Sequence, residues 1–135
     1  DFDLYLKGDE NAISKIQKEG YQIFKEKGCI SCHHGVNIGG NLYSEFGVIV
    51  SPDITNLGKF NHTKIDSDKF KFKVPTLRNI ERTAPYLHNG SINTLNKVIK
   101  DMALYQLGRE ITTIEIYKIV EFLKSLNADI ENEDN

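Results

Sequence analysis

Cys29-Ile30-Ser31-Cys32-His33 is the stretch that decides how this chain is read. Its two thiols are the only cysteines in 135 residues, and a histidine follows the second directly. C-x-x-C-H is the attachment pattern of c-type haem. Two intervening residues let a tight turn present both sulfurs to the neighbouring vinyl groups of a porphyrin, where each forms a thioether. The next residue then lies under the ring, and its imidazole can bind the iron as proximal ligand. Other uses of the pair need other surroundings. A thioredoxin-like C-x-x-C needs a βαβ setting, whereas Ile16 to Lys27 reads as a helix and no βαβ pattern follows. Structural zinc usually takes four ligands, which here means Cys29 and Cys32 joined by two of His33, His34, His62 and His88.

Working outward, helical spacing predicts a first helix over Ser14 to Lys27, ended by Gly28 just before Cys29. Gly20 lies inside it. A helical glycine costs about 1 kcal/mol against alanine, which is offset where another backbone comes close. The partner expected there is the last helix, Thr113 to Leu126, with Ile116, Ile119, Val120, Leu123 and Leu126 as its apolar stripe and Thr112 or Thr113 as its cap. A third helix is predicted over Thr94 to Gln106. The expected class is all-α: a small c-type cytochrome fold with first and last helices crossing and long haem-wrapping loops. The chain reads as a single domain over 1–135, with an extended lead-in at 1–12 and an acidic tail at 127–135.

Between Gly35 and Val74 the pattern is irregular, broken by Gly39-Gly40, Gly47, Pro52 and Gly58. A loop this long usually has a task, and wrapping a flat cofactor is one. Formal charge is −2, from 17 basic and 19 acidic side chains, which excludes a nucleic-acid footprint. The sign is uneven, since residues 11–128 carry 16 basic against 11 acidic side chains. Lys59, Lys64, Lys69, Lys71 and Lys73 supply most of the excess, either as a solvated loop or as a docking surface for an acidic donor. No apolar run approaches the ~20 residues of a membrane span. The first residues, Asp1-Phe2-Asp3, suggest a processed or excised piece of an exported, periplasmic protein.

Candidates for the sixth iron position are Met102, His34, His62, His88 and water. A methionine on a helical apolar face usually fills core. Met102, however, is the chain's only one, lies far downstream of His33, and sits on a helix that follows a long loop. His/Met ligation implies a high-potential electron-transfer haem, and a second histidine a lower potential.

The chain resembles the C-terminal haem domain of the bacterial di-haem cytochrome c peroxidases. The resemblance rests on Phe2-Asp3-Leu4-Tyr5-Leu6-Lys7-Gly8-Asp9, Gly28 to His33, and Gly35 to Gly40. Its most specific block is Phe72-Lys73-Val74-Pro75-Thr76-Leu77-Arg78-Asn79-Ile80 with Thr83-Ala84-Pro85-Tyr86-Leu87-His88-Asn89-Gly90. Tyr105 to Arg109 and Ile119 to Leu126 complete it. The family reduces hydrogen peroxide to water on an N-terminal haem, with electrons taken in at the C-terminal one from small cytochromes or copper proteins. The resemblance implies one covalent haem c on Cys29 and Cys32, axial ligands His33 and Met102, and a partner domain holding the peroxidatic haem. It also implies calcium bound through the backbone carbonyls of Thr83 and Pro85 and an asparagine of that domain. This chain has one haem motif, so it alone is expected to relay electrons and not to catalyse; the alternative is a stand-alone mono-haem carrier. His34 stands where the family often has asparagine, and Met102 stands against relatives that use an axial tyrosine. Arg78 is either a partner for a haem propionate or part of an ion pair, and His88 either a loop histidine or a group near the haem edge.

Overall fold

The computed structural model describes residues 1–49 and 55–128. Among the described residues five α-helices carry the fold: α1 (Phe2–Leu6), α2 (Lys15–Glu26), α3 (Phe60–Thr63), α4 (Leu95–Leu107) and α5 (Thr113–Lys124). The long helices begin where side chains can satisfy their free N–H groups. Ser14 and Gln17 form a reciprocal capping box on α2, and Thr112 and Glu115 form one on α5. Thr94 caps α4, and Gly108 closes it in the left-handed conformation. All three expected long helices are present, with ends close to those predicted.

α2 and α5 pack directly on each other. A Cβ at Gly20 would stand 1.9 Å from the Lys118 carbonyl oxygen, so this contact is backbone on backbone. Lys118 reaches Glu19 at 2.8 Å and Lys27 reaches Glu115 at 2.9 Å, tying the helices at two levels. The buried centre is Phe122, Ile119 and Leu126 of the last helix and its exit, with Phe24 of α2. Burying one such side chain contributes about 1.5–3 kcal/mol.

One expectation is corrected and one is refined. Residues 1–12 are not an extended lead-in: α1 occupies Phe2–Leu6. Phe2 is buried, with its ring 4.9 Å from Tyr21 and 5.1 Å from Phe122, both edge-on. So short a helix cannot hold itself; the aromatic contacts hold this one. The all-α class fits broadly, with one small two-stranded sheet added to the helices. Tyr43–Glu45 (β1) and Lys71–Lys73 (β2) pair antiparallel in the register Tyr43↔Lys73, Ser44↔Phe72 and Glu45↔Lys71. Strands this short carry too little periodicity to be read from sequence. The predicted acidic tail lies outside the described residues from position 129 on. Its first residues are anchored, Ala128 N–H donating to Asn79 Oδ1 at 2.7 Å and Asn127 Nδ2 to Glu81 Oε2 at 2.9 Å. No helix among the described residues is long and apolar enough to cross a membrane.

Candidate haem-binding site

α2 ends at Glu26, and Gly28, with a φ of +94°, turns the chain into a short 3-10 turn, Cys29–Ser31. That turn is tight, with the Cys32 and His33 N–H groups both donating to the Cys29 carbonyl. Both thiols and the His33 imidazole open onto one cavity of about 440 Å³, within the usual range for ligand sites. α4 lines the same cavity with Leu95, Val98, Ile99, Met102 and Gln106. The structure thus brings Cys29, Cys32, His33 and Met102 together around one predominantly apolar space, although Met102 is far from the other three in sequence.

His33 is held from behind. Its Nδ1 is buried and lacks a well-aligned hydrogen bond. A Cβ at Gly39, whose φ is +127°, would stand 2.1 Å from the Pro75 carbonyl oxygen and 3.3 Å from that Nδ1. Only a residue without a side chain lets the Pro75 backbone approach the imidazole so closely. Burial pushes the His33 pKa below its ordinary value, against the opposing pull of the Ile38 and Pro75 carbonyls. A neutral imidazole is the form that binds a metal. Burial also pushes the Cys29 thiol up to about 11, so as a free thiol it is protonated at neutral pH.

The remaining candidates separate by position. Among the histidines, His33 and His88 line the cavity, whereas His34 and His62 do not. His34 is exposed and lies 3.2 Å from Asn41. His88 stacks on Phe72, with centroids 4.4 Å apart and planes 22° from parallel. Among the described residues no three His, Cys, Asp or Glu side chains converge as a metal cluster. Arg78 takes the ion-pair alternative. Its guanidinium grips Asp3 at 2.6 and 2.9 Å and donates to the Val36 carbonyl at 2.8 and 3.1 Å. Thr83 and Pro85 stand on the cavity wall on either side of Ala84, at the cis Ala84–Pro85 bond.

Sequence reasoning missed one wall. Ser44, Phe46, Phe72 and Lys73 of the β1–β2 arm close the side of the cavity between the cysteine turn and α4. Gln106 latches that arm. Its Oε1 accepts from the Gly47 and Val48 N–H groups, and its Nε2 donates to the Glu45 carbonyl at 2.9 Å. The only sequence signal was that Gln106 lies one helical turn after Met102, on the same face.

The residues fit a covalently held porphyrin. Two thiols, a buried imidazole and a thioether sulfur surround an apolar space, while the Arg78 fork is engaged elsewhere. Comparison with known proteins agrees. Residues 72–104 match the family model described as RoxA-like, cytochrome c-like. Cytochrome c551 peroxidase of Nitrosomonas europaea is 44% identical over 130 residues, covering 95% of this chain and 39% of that protein. Cytochrome c peroxidase Ccp of Escherichia coli is also 44% identical, covering 94% of this chain and 28% of its own length. A solved MauG-like protein associated with microbial copper homeostasis superposes with a TM-score of 0.75 at 24% identity, over 95% of this chain and 51% of that one; this supports the fold. The chain spans less than half the length of the curated relatives it matches.

Proposed function

We propose that this chain, a cytochrome c-like domain related to bacterial cytochrome c peroxidases, is the electron-transfer haem domain of such a peroxidase. The observation that carries the reading is the convergence of Cys29, Cys32, His33 and Met102 on one apolar cavity. Cys29 and Cys32 would tether the cofactor through their sulfurs, and His33 and Met102 would hold its iron. When bound there, haem c supplies a one-electron iron couple. The protein's part is to hold that couple in a dry, fixed setting. Phe24, Leu95, Val98 and Ile99 exclude water, and the backbone around Gly39 and Pro75 fixes the His33 ring. A soft thioether on the sixth position favours reduced iron and raises the potential relative to a second histidine. That suits a centre that takes electrons in.

In this reading one haem c is bound here, and peroxide is reduced to water on a second haem, in a partner domain of the same parent protein. A small cytochrome or copper protein is the donor. Calcium held by the Thr83 and Pro85 carbonyls and by an asparagine of that domain belongs to the same proposal, as does a periplasmic location. The close backbone contact of α2 with α5 at Gly20 supports a crossing of first and last helices like that of small c-type cytochromes.

The test is spectroscopic. The oxidised holo-protein should be low-spin at neutral pH and show a weak sulfur-to-iron band in the near infrared, with little peroxide turnover by this chain alone. A high-spin oxidised spectrum would remove Met102 from the iron, and rapid peroxide turnover with a reduced donor would contradict the relay role.

A further inference from the structure

The β1–β2 arm has a second face, and its charge is unlike the rest of the molecule. Segment 57–73 carries five lysines against two aspartates, in a chain whose formal charge is −2. Elsewhere several lysines each meet a carboxylate singly, as in Lys18–Glu10, Lys27–Glu115 and Lys124–Glu121, while Lys15 and Lys118 share Glu19. On the arm the count does not balance. Lys59 and Lys71 share one buried carboxylate, Asp68, at 3.3 and 3.7 Å. Lys69 holds Asp66 at 2.9 Å. Lys64 and Lys73 are exposed and have no ion-pair partner among the described residues.

The ammonium groups are also spaced by aromatic rings. Lys64 and Lys69 stand 5.7 and 5.1 Å from the centre of Phe60, and Lys59 stands 5.4 Å from that of Tyr43. Such contacts hold a cation over a ring and limit its motion. Tyr43 and Ile65 are themselves more than half exposed, so the face mixes fixed positive charge with apolar area. Its place matters most. Lys73 lines the cavity yet stays exposed, so it stands on the rim, and its neighbour Phe72 forms part of the inner wall.

We propose that this lysine face is the docking surface for a carboxylate-rich redox protein, which delivers its electron across the arm. The inference rests on the electron-transfer reading above and names the charge of the donor and where it binds. The step is a single outer-sphere transfer. The donor centre loses one electron, the ferric haem gains it, and no bond or proton moves. Opposite charge raises the encounter rate, and a small contact lets the donor leave again.

The experiment uses the holo-protein with two reductants of opposite charge: reduced plant-type [2Fe–2S] ferredoxin, an acidic protein, and hexaammineruthenium(II), a small cation. Stopped-flow haem reduction by ferredoxin should slow as ionic strength rises. The exposed pair variant Lys64→Glu/Lys69→Glu, neither residue lining the cavity, should lower the ferredoxin rate by about tenfold or more at low salt, without lowering the ruthenium rate. Lys15→Glu, at the far end of α2 from the cysteine turn, should leave both within about twofold. A ferredoxin rate unchanged in the pair variant, or lowered equally by Lys15→Glu, overturns the docking surface while the relay reading stands. A haem that neither reagent reduces overturns both.

Discussion

Gly20→Ala tests the contact on which the two long helices rest. In an ordinary exposed helix this change stabilises by about 1 kcal/mol, through helix propensity. Here the added methyl would stand 1.9 Å from the Lys118 carbonyl oxygen, 2.6 Å from its carbon and 2.9 Å from Phe122 Cβ. Ordinary contact begins near 3.4 Å, so α2 and α5 must move apart at this point to admit it. No flexible side-chain end is available to yield, because the obstacle is helix backbone. Overpacking a well-filled interior typically costs about 1–3 kcal/mol, occasionally more. Separation also loosens Phe24 and Phe122, whose rings lie 5.3 Å apart, so the upper part of that range applies. The net expectation is a loss of about 2–3 kcal/mol. The assay is urea unfolding of the holo-protein followed by far-UV circular dichroism. The midpoint should fall with little change in slope. A variant as stable as the parent, or more stable, would refute the backbone-contact argument, because propensity alone would then decide.

Met102→His should keep the haem attached and lower its potential by a sizeable part of the ~0.8 V that axial ligands span; a potentiometric titration indistinguishable from the parent's would show that another group holds the sixth position. Gly39→Ala places a methyl 2.1 Å from the Pro75 oxygen on a backbone of φ +127°, so the His33 ring should shift and the yield of low-spin holo-protein should drop, as read from the absorption spectrum. The Arg78 guanidinium holds the Asp3 carboxyl below its ordinary 3.8. Its contribution is therefore present above that value and lost as pH falls through the lowered one. Asp3→Asn should accordingly flatten the acid limb of a stability-versus-pH curve below about pH 4 and leave the difference between pH 6 and 8 unchanged.

What could be read in advance was what is encoded locally. Ser14 with Gln17 and Thr112 with Glu115 mark helix starts within a single turn, and Gly28 marks an end. The haem motif is one consecutive run, Cys29 to His33, and Met102 stood out as the chain's only methionine. The rest depends on partners far away in sequence. Arg78 could not be assigned from its neighbours because Asp3 lies near the other end of the chain segment that separates them. α1 exists because Phe2 finds Tyr21 and Phe122. The β1–β2 arm needs Tyr43 to find Lys73 across a long irregular loop, and no residue in 35–74 announces the pairing. The same holds for His88, whose stacking partner Phe72 belongs to β2.

The arm's attachment has a further consequence, for how the molecule opens. The aromatic cluster of α1, α2 and α5 is buried and continuous, whereas the arm is three residue pairs wide and is latched to α4 mainly by one amide, Gln106. Regions with few buried contacts open before the global unfolding event. In native-state hydrogen–deuterium exchange, the amides of Phe46 and Val74, bonded to Phe70 and Leu42, should therefore lose protection earlier than those along α5. The side of the cavity that carries the lysines would then be its hinge side, and the cysteine turn its fixed side.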